Sequence, residues 1–76
     1  MWFKKLKIKI QKESVYTTAN IIYKDKLVAQ LSTEYGFANL KIEIFPPGPN
    51  EYWILSFAEF DEALQRAKSM LWNNRK

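Results

Sequence analysis

The segment that determines the fold is residues 5–11, KLKIKIQ, in which polar and aliphatic residues alternate. Leu6, Ile8 and Ile10 alternate with lysines and a glutamine, a period of two that is typical of a strand with one buried face. The aliphatic face needs a covering element, whereas the lysine face is expected in water. We therefore expect a first strand at residues 3–11, in a sheet that is covered on one side.

Two more segments continue this period. Residues 15–23 and 27–33 alternate and are rich in β-branched and aromatic side chains, which predicts two further strands. Tyr23 and Leu27 are both expected on the inner face, so the loop between them, residues 24–26, should have an odd number of residues. A two-residue Lys24-Asp25 turn is disfavoured in this interpretation, because such turns need positive φ angles that Asn-Gly or Asp-Gly adopt more easily.

The second half of the chain predicts two strands and a helix. Residues 37–45 alternate, with residues 38, 40, 42 and 44 expected on the inner face, and a proline-rich turn at 46–50 ends this strand. The apolar run 52–55 predicts a short fifth strand. Ser56 and Glu59 fit a capping box, and an apolar stripe at helical spacing follows it, which predicts a helix over residues 57–73.

These elements favour an α+β fold: an antiparallel meander of about five strands with one C-terminal helix packed on one face. The chain has 76 residues and three prolines, with no long linker or repeat. We expect one domain over residues 1–76.

The composition excludes several kinds of chemistry. The sequence has no Cys and no His, so disulfides, thiolate nucleophiles and His-based acid–base or zinc chemistry are closed to it. The carboxylates Glu59, Asp61 and Glu62 are interpreted as complementing the helix dipole rather than holding a metal. We expect no enzymatic activity, no cofactor, no metal site and no small-molecule substrate. The N-terminus lacks a signal-peptide pattern and no run is long enough for a membrane span, so we expect a cytoplasmic protein without membrane contact.

The net charge of +4 is distributed unevenly along the chain. Residues 1–26 carry seven lysines against two acidic residues, whereas residues 27–62 carry one lysine against six acidic residues. A segregated basic surface is typical of proteins that contact polyanions, and it also occurs on soluble proteins without such a partner. Nucleic acid is therefore one expected partner.

The basic N-terminal strand supplies the leading candidate site, because lysines two residues apart project from one face of a strand. The candidate polyanion-binding residues are Lys5, Lys7, Lys9, Lys12, Lys24 and Lys26. A second interpretation stays open, since lysines on an edge strand also prevent edge-to-edge association of sheets.

A protein partner, or a second copy of the chain, is the alternative. The open sheet face is expected to combine aromatic residues with amides and Lys41, and the proline-rich loop lies next to two further aromatic residues. The candidate protein-contact residues are Tyr16, Phe37, Phe45, Pro47, Tyr52 and Trp53. An inhibitor, an immunity or antitoxin-like protein, or a subunit of an assembly would use such a surface.

The segment from Trp53 to Ala67 resembles parts of known families. Residues 53–57 (WILSF), followed by Glu62, Ala63 and Ala67, are similar to the last strand and helix of the plant ethylene-response-factor domain and of the arm-type domain of tyrosine-recombinase integrases. Residues 62–67 are also similar to HicB-type antitoxins. These resemblances imply a strand that enters an amphipathic helix. The Arg- and Trp-rich DNA-reading strands of the plant family have no counterpart here, so no binding residue is carried over and no family is assigned.

Overall fold

The protein consists of a four-stranded antiparallel sheet and one C-terminal helix, as a computed structural model that describes residues 6–74 shows. The strands follow one another in the order β1-β2-β3-β4 across the sheet. The elements are β1 (Lys7–Lys12), β2 (Thr17–Tyr23), β3 (Lys26–Ser32), β4 (Lys41–Ile44) and α1 (Phe57–Asn73), with a short 3₁₀ turn at Phe37–Asn39. The predicted α+β meander is confirmed, but the sheet has four strands instead of five.

The alternation in β1 separates the two faces of the sheet. Leu6 is buried and Ile8 and Ile10 pack against the core, whereas Lys7 and Lys9 are exposed on the other side. Residues 3–5 of the predicted first strand lie outside the described residues.

The core lies between the sheet and α1, which packs on β1 and β2. Its buried residues are Leu6, Ala19, Ile21, Val28, Ala29, Leu31, Ala63, Ala67 and Leu71. Alanines occur on both the sheet and the helix in this cluster, so the helix can approach the sheet closely.

The turn between β2 and β3 differs from the predicted three-residue loop. Tyr23 pairs directly with Lys26, so the turn has two residues, and Lys24 and Asp25 adopt φ angles of 49° and 66°. Positive φ at both positions is the geometry of a type I′ hairpin turn, which matches the twist of the flanking strands. The requirements of the hairpin therefore outweigh the poor preference of Lys for this conformation.

A β-bulge explains why Leu27 does not point inward as predicted. Ile21 pairs with Ala29 but Ile22 pairs with Leu27, which leaves Val28 as the extra residue of β3. An extra residue reverses the alternation beyond it. As a result Val28 is fully buried, and Leu27 is 36% exposed.

The predicted strand at 37–45 is shorter than expected because its first part turns away from the sheet. Gly36 has a φ of 91°, and the Asn39 N–H donates to the Gly36 carbonyl at 3.1 Å, which closes the 3₁₀ turn. Phe37 thereby packs edge-on against Trp72 of α1, with 4.9 Å between ring centroids. The ladder with β3 therefore begins only at residue 41.

Residues 52–55 are not a strand, which corrects both the predicted fifth strand and the implied resemblance to families with a strand at this position. The segment joins no ladder within residues 6–74. A side chain fixes it instead: the Trp53 indole N–H donates to the Phe45 carbonyl at 2.6 Å, and its ring meets Tyr23 edge-on. An apolar run alone does not distinguish a strand from a chain anchored by one large ring.

The helix spans Phe57–Asn73, as the capping pattern predicts. Ser56 accepts a hydrogen bond from the Glu59 backbone N–H, which satisfies one of the free donors of the first turn. At the other end the Asn74 side chain donates to the Met70 carbonyl at 2.8 Å. Within residues 6–74, no helix combines the length and the apolar character needed to cross a membrane.

Two leucines of β3 provide a test of the bulge. Leu31 is 5% exposed and Leu27 is 36% exposed, although simple alternation places both inside. Leu31→Ala should lower the free energy of unfolding by about 2–5 kcal/mol, because it leaves a cavity in the core. Leu27→Ala should cost less than half as much. Urea unfolding of both variants measures the difference, and equal decreases would contradict the bulge.

Candidate functional site

The sheet face opposite α1, called the open face below, collects most of the polar strand residues. Register and alternation place on it Lys7, Lys9 and Gln11 of β1, Thr18, Asn20 and Ile22 of β2, Leu27, Gln30 and Ser32 of β3, and Lys41 and Glu43 of β4. Lysines therefore stand at the β1 side, and a mixture of acidic and basic groups stands at the β4 side.

A row of hydrogen-bonded amides crosses the middle of the open face. The Gln30 side-chain amide donates to Asn20 at 2.8 Å, the Asn20 amide donates to Gln11 at 3.4 Å, and the Gln11 amide donates to Glu13 at 2.8 Å. Because each amide already has a side-chain partner, this row stiffens the sheet and links three strands.

Three lysines meet at one corner of the open face, called the basic corner below: Lys7, Lys9 and Lys24. Lys7 and Lys9 are exposed neighbours on β1, and Lys24 stands at the adjacent β2–β3 turn. Lys7 and Lys24 line a cleft of about 300 Å³ together with Ile22 and Asp25. The Lys24 ammonium lies 5.5 Å from the centroid of the Tyr23 ring. Topology brings Lys24 next to Lys7, which sequence spacing does not reveal.

No carboxylate within residues 6–74 forms a salt bridge with the basic corner. The two ion pairs of the described chain, Lys41–Glu34 and Arg66–Glu62, lie elsewhere. The three ammonium groups therefore have no carboxylate partner there, although Lys24 contacts the Tyr23 ring and Asp25 lines the same cleft.

The remaining predicted lysines do not join the basic corner. Lys12 pairs with Thr17 and has the parity of Ile8 and Ile10, so it projects on the helix side. Lys26 pairs with Tyr23, which packs against the core, so it also belongs to that side. Lys5 lies outside the described residues.

On the β4 side of the open face, the lysine is paired with a carboxylate. Lys41 donates to the Glu34 carboxylate at 2.7 Å and lies 5.6 Å from the Tyr35 ring centroid. This hydrogen bond, with smaller contributions from the charges of Glu34 and Glu43, raises the pKa of Lys41 above its ordinary value. Lys41 is thus engaged within the protein, unlike the lysines of the basic corner.

The predicted protein-contact residues are dispersed. Phe37 packs against Trp72 instead of lying on the open face, and Trp53 is held half-buried between Tyr23 and Phe45. Among the strand residues that the structure describes, the open-face positions carry no aromatic ring. The expected aromatic platform is therefore not formed by the strands.

The other predicted contact residues differ in exposure. Tyr16 is half-buried beside the β1–β2 turn, where its carbonyl accepts from the Glu13 N–H at 2.8 Å. Phe45 and Pro47 are also half-buried, and Tyr52 is exposed.

Two surface features escaped the sequence interpretation. Ile42 and Ile44 lie on the helix side of the sheet, as expected, yet they are 46% and 61% exposed. Their exposure follows from size: the outer strands of a four-stranded sheet are about 14 Å apart, whereas a helix is about 10–12 Å wide. The second feature is a cleft of about 400 Å³ lined by Phe37, Gln65, Lys68, Ser69 and Trp72. The exposure of Ile42 and Ile44 could have been predicted, because one helix is too narrow to cover a sheet of four or more strands.

Within the described part of the chain, no three or more acidic, His or Cys side chains are grouped so that they could hold a metal ion.

The comparisons with known proteins give no assignment. No protein-family model matches the chain, and no curated protein or solved structure is significantly similar to it.

The Lys41–Glu34 contact can be tested by titration. Glu34→Gln should lower the Lys41 pKa towards its ordinary value, because the variant removes the charged acceptor. The raised pKa means that the contact stabilises the fold below the ordinary lysine pKa, and that this stability disappears as the pH rises through the raised value. NMR of the lysine side-chain carbons measures the pKa. Glu43→Gln is the matched control and should lower it less; an unchanged pKa in Glu34→Gln would refute the contact.

Proposed function

We propose that the chain is a small non-catalytic binding module that contacts the phosphate backbone of nucleic acid through Lys7, Lys9 and Lys24. One observation carries the proposal: Lys7 and Lys24 line the same cleft, with Lys9 next to Lys7 on one face of β1, and none of the three forms a salt bridge with a carboxylate in the described chain. An ammonium group without an internal counter-ion exchanges bound solvent ions for phosphate, and the release of those ions favours binding.

The geometry of β1 supports a linear polyanion. Lys7 and Lys9 project from the same face of one strand, so their Cα atoms are about 6.6 Å apart. Lys24 extends this row around the end of the hairpin, and the cleft between Lys7 and Lys24 offers room for a phosphate group. Long lysine side chains adapt to the varying spacing of phosphates along a flexible strand.

The chemistry of the rest of the open face favours backbone contacts over base contacts. Base recognition on a sheet uses aromatic rings for stacking or free amides for hydrogen bonds. The strands of the open face carry no ring, and the Tyr35 ring at its β4 side lies against Lys41 and far from the basic corner. Gln11, Asn20 and Gln30 are bonded to one another. Binding is therefore proposed to depend on charge and to be largely independent of sequence.

Salt dependence provides the test. The affinity for a fluorescent single-stranded oligonucleotide, measured by anisotropy, should fall steeply with salt concentration. Lys7→Gln/Lys9→Gln should weaken binding and should reduce the slope of log K against log salt by about 0.7 for each phosphate that the variant no longer neutralises. Lys12→Gln/Lys26→Gln is the matched control, since it removes the same charge from the helix side of the sheet, and it should change the slope much less.

Three outcomes would refute the proposal. The first is no detectable binding at low salt. The second is an affinity that salt does not change, and the third is an equal effect of the two double variants, which would mean that net charge rather than the basic corner governs binding.

A protein-binding role is the second candidate, and it rests on the segment before α1. Tyr52, Ile54 and Phe57 are 76%, 70% and 84% exposed, an unusual density of apolar surface for six consecutive residues. Exposed Tyr and Phe side chains next to a half-buried Trp53 are suited to contact an apolar pocket of another protein, such as the target of an inhibitor or antitoxin-like protein.

A pull-down from nuclease-treated lysate of the organism that encodes the chain separates the two roles. A protein partner bound through this segment should be retained after nuclease treatment by the wild type but not by Tyr52→Ala/Phe57→Ala. Lys7→Gln/Lys9→Gln should retain it and serves as the control. Disappearance of all captured protein upon nuclease treatment would contradict this second role.

A further inference from the structure

The outer edge of β4 is open to another strand. β4 is the last strand of the sheet, and it has neighbours only on the β3 side within the described chain. The Phe45 N–H donates to the Val28 carbonyl at 2.8 Å, in continuation of the β3–β4 register. Hydrogen-bonded pairs alternate along an antiparallel ladder. Lys41 and Glu43 therefore bond to β3, and the backbone N–H and C=O groups of Ile42 and Ile44 point outward.

The side chains of β4 divide between the two faces of the sheet. Ile42 and Ile44 lie on the helix side, beyond the part that α1 covers, and remain exposed. Lys41 and Glu43 lie on the open face, where they are two residues apart. The edge thus combines free backbone groups, an uncovered apolar surface and one charge of each sign.

We propose that β4 pairs antiparallel with β4 of a second copy of this chain, with Ile42 opposite Ile42 of the partner subunit. A twofold axis relates the copies, as in the commonest homo-oligomers, and in this pairing it stands perpendicular to the sheet. The two sheets then form one continuous sheet of eight strands, with both open faces on the same side.

Charge complementarity selects this register. A perpendicular twofold axis allows only residues of the same face to pair. Moving the axis by one residue along β4 therefore shifts the partner strand by two residues. In the proposed register Lys41 lies opposite Glu43 of the partner subunit, and the same contact occurs twice by symmetry. Opposite charges in such cross-strand pairs are favourable and like charges are unfavourable.

The adjacent registers are worse for specific reasons. Centring the axis on Glu43 would place two carboxylates face to face, and centring it on Lys41 would do the same for two ammonium groups. Centring it on Ile44 would place Ile42 opposite Pro46 of the partner subunit, which lacks an N–H for the ladder. The proposed register avoids all three conflicts.

The apolar face of the same edge supports the pairing. Ile42 meets its own symmetry copy, and Ile44 lies opposite Leu40 of the partner subunit, so exposed aliphatic surface is removed from water. The interface involves one four-residue strand per copy and lies at the small end for specific complexes. A weak dimer that forms at high protein concentration is therefore expected.

The other edge of the sheet is only partly protected against the same association. In β1, Lys7 and Lys9 occupy successive positions of one face, so self-pairings centred on Lys7, Ile8 or Lys9 bring lysines of the two copies together, whereas a pairing centred on Ile10 does not. The choice of β4 therefore rests on its own opposite-charge pairs and on the exposed side chains of Ile42 and Ile44.

Sedimentation velocity with nucleic-acid-free protein tests the proposal. The wild type should change from monomer to dimer over about a hundredfold range of concentration. In a Glu34→Gln background, which removes the carboxylate that Lys41 contacts within its own subunit, Glu43→Lys and Lys41→Glu should each raise the dimer dissociation constant about tenfold or more, because each places like charges opposite one another. The double variant Lys41→Glu/Glu43→Lys restores opposite charges and should recover dimerisation. Glu62→Lys on α1 is the control for net charge.

A wild type that stays monomeric at all concentrations would overturn the proposal. Charge variants that dimerise like the wild type would overturn it too, as would a folded double variant that does not recover dimerisation.

Cross-linking provides a second measurement that does not depend on these charges. The chain has no Cys, so Ile42→Cys introduces a single thiol. In the proposed pair the Cα atoms are about 5.5 Å apart, within the range of about 4.4–6.8 Å that a disulfide needs. Mild oxidation should give a covalent dimer of Ile42→Cys and much less of the exposed control Val15→Cys; equal yields would contradict the register.

Discussion

The arrangement depends on the packing of one helix against a sheet that is wider than the helix. Small side chains on both elements, including Ala19 of β2 and Ala63 and Ala67 of α1, let the backbones approach closely, and Ile21 and Leu71 fill the space between them. Because α1 lies over β1 and β2, it buries the inner face of those strands and leaves β4 without cover. The basic corner and the β4 edge therefore have a common origin. The helix determines which face of β1 is exposed to solvent and which edge of the sheet has exposed apolar side chains.

This packing separates charge as well as hydrophobicity. With the aliphatic residues of β1 under the helix, Lys7 and Lys9 must project into water on the opposite side. The hydrogen-bonded amides then separate these lysines from Glu34 and Glu43 on the far side of the open face. A basic corner and a mixed-charge edge thus coexist on one small sheet, and neither neutralises the other. Binding of an anion at β1 and pairing of β4 with a second copy would be compatible.

The sequence predicted the parts of this arrangement that depend on local periodicity. The strict alternation of residues 6–10 and the Ser56 cap were sufficient for β1 and α1. The failures have causes that alternation does not encode: the bulge at Val28 and the type I′ turn at Lys24-Asp25 are set by the pairing of β2 with β3, and Trp53 is anchored by one side-chain hydrogen bond to Phe45. For the site, alternation predicted the exposure of Lys7 and Lys9, whereas only the hairpin geometry brought Lys24 beside Lys7. The parity of Lys12, shared with Ile8 and Ile10, already contained the signal that it lies on the other face.

The position of α1 over β1 and β2 is the claim on which both surfaces rest, and methyl nuclear Overhauser effects measure it directly. We predict strong contacts from the methyl groups of Ala63, Ala67 and Leu71 to the core methyl groups of β1 and β2, which include those of Ile10, Ala19 and Ile21, and none from the helix to Ile42 or Ile44. Strong contacts between the helix and Ile42 or Ile44, together with the absence of those to Ile21, would place the helix over β4 and contradict the account.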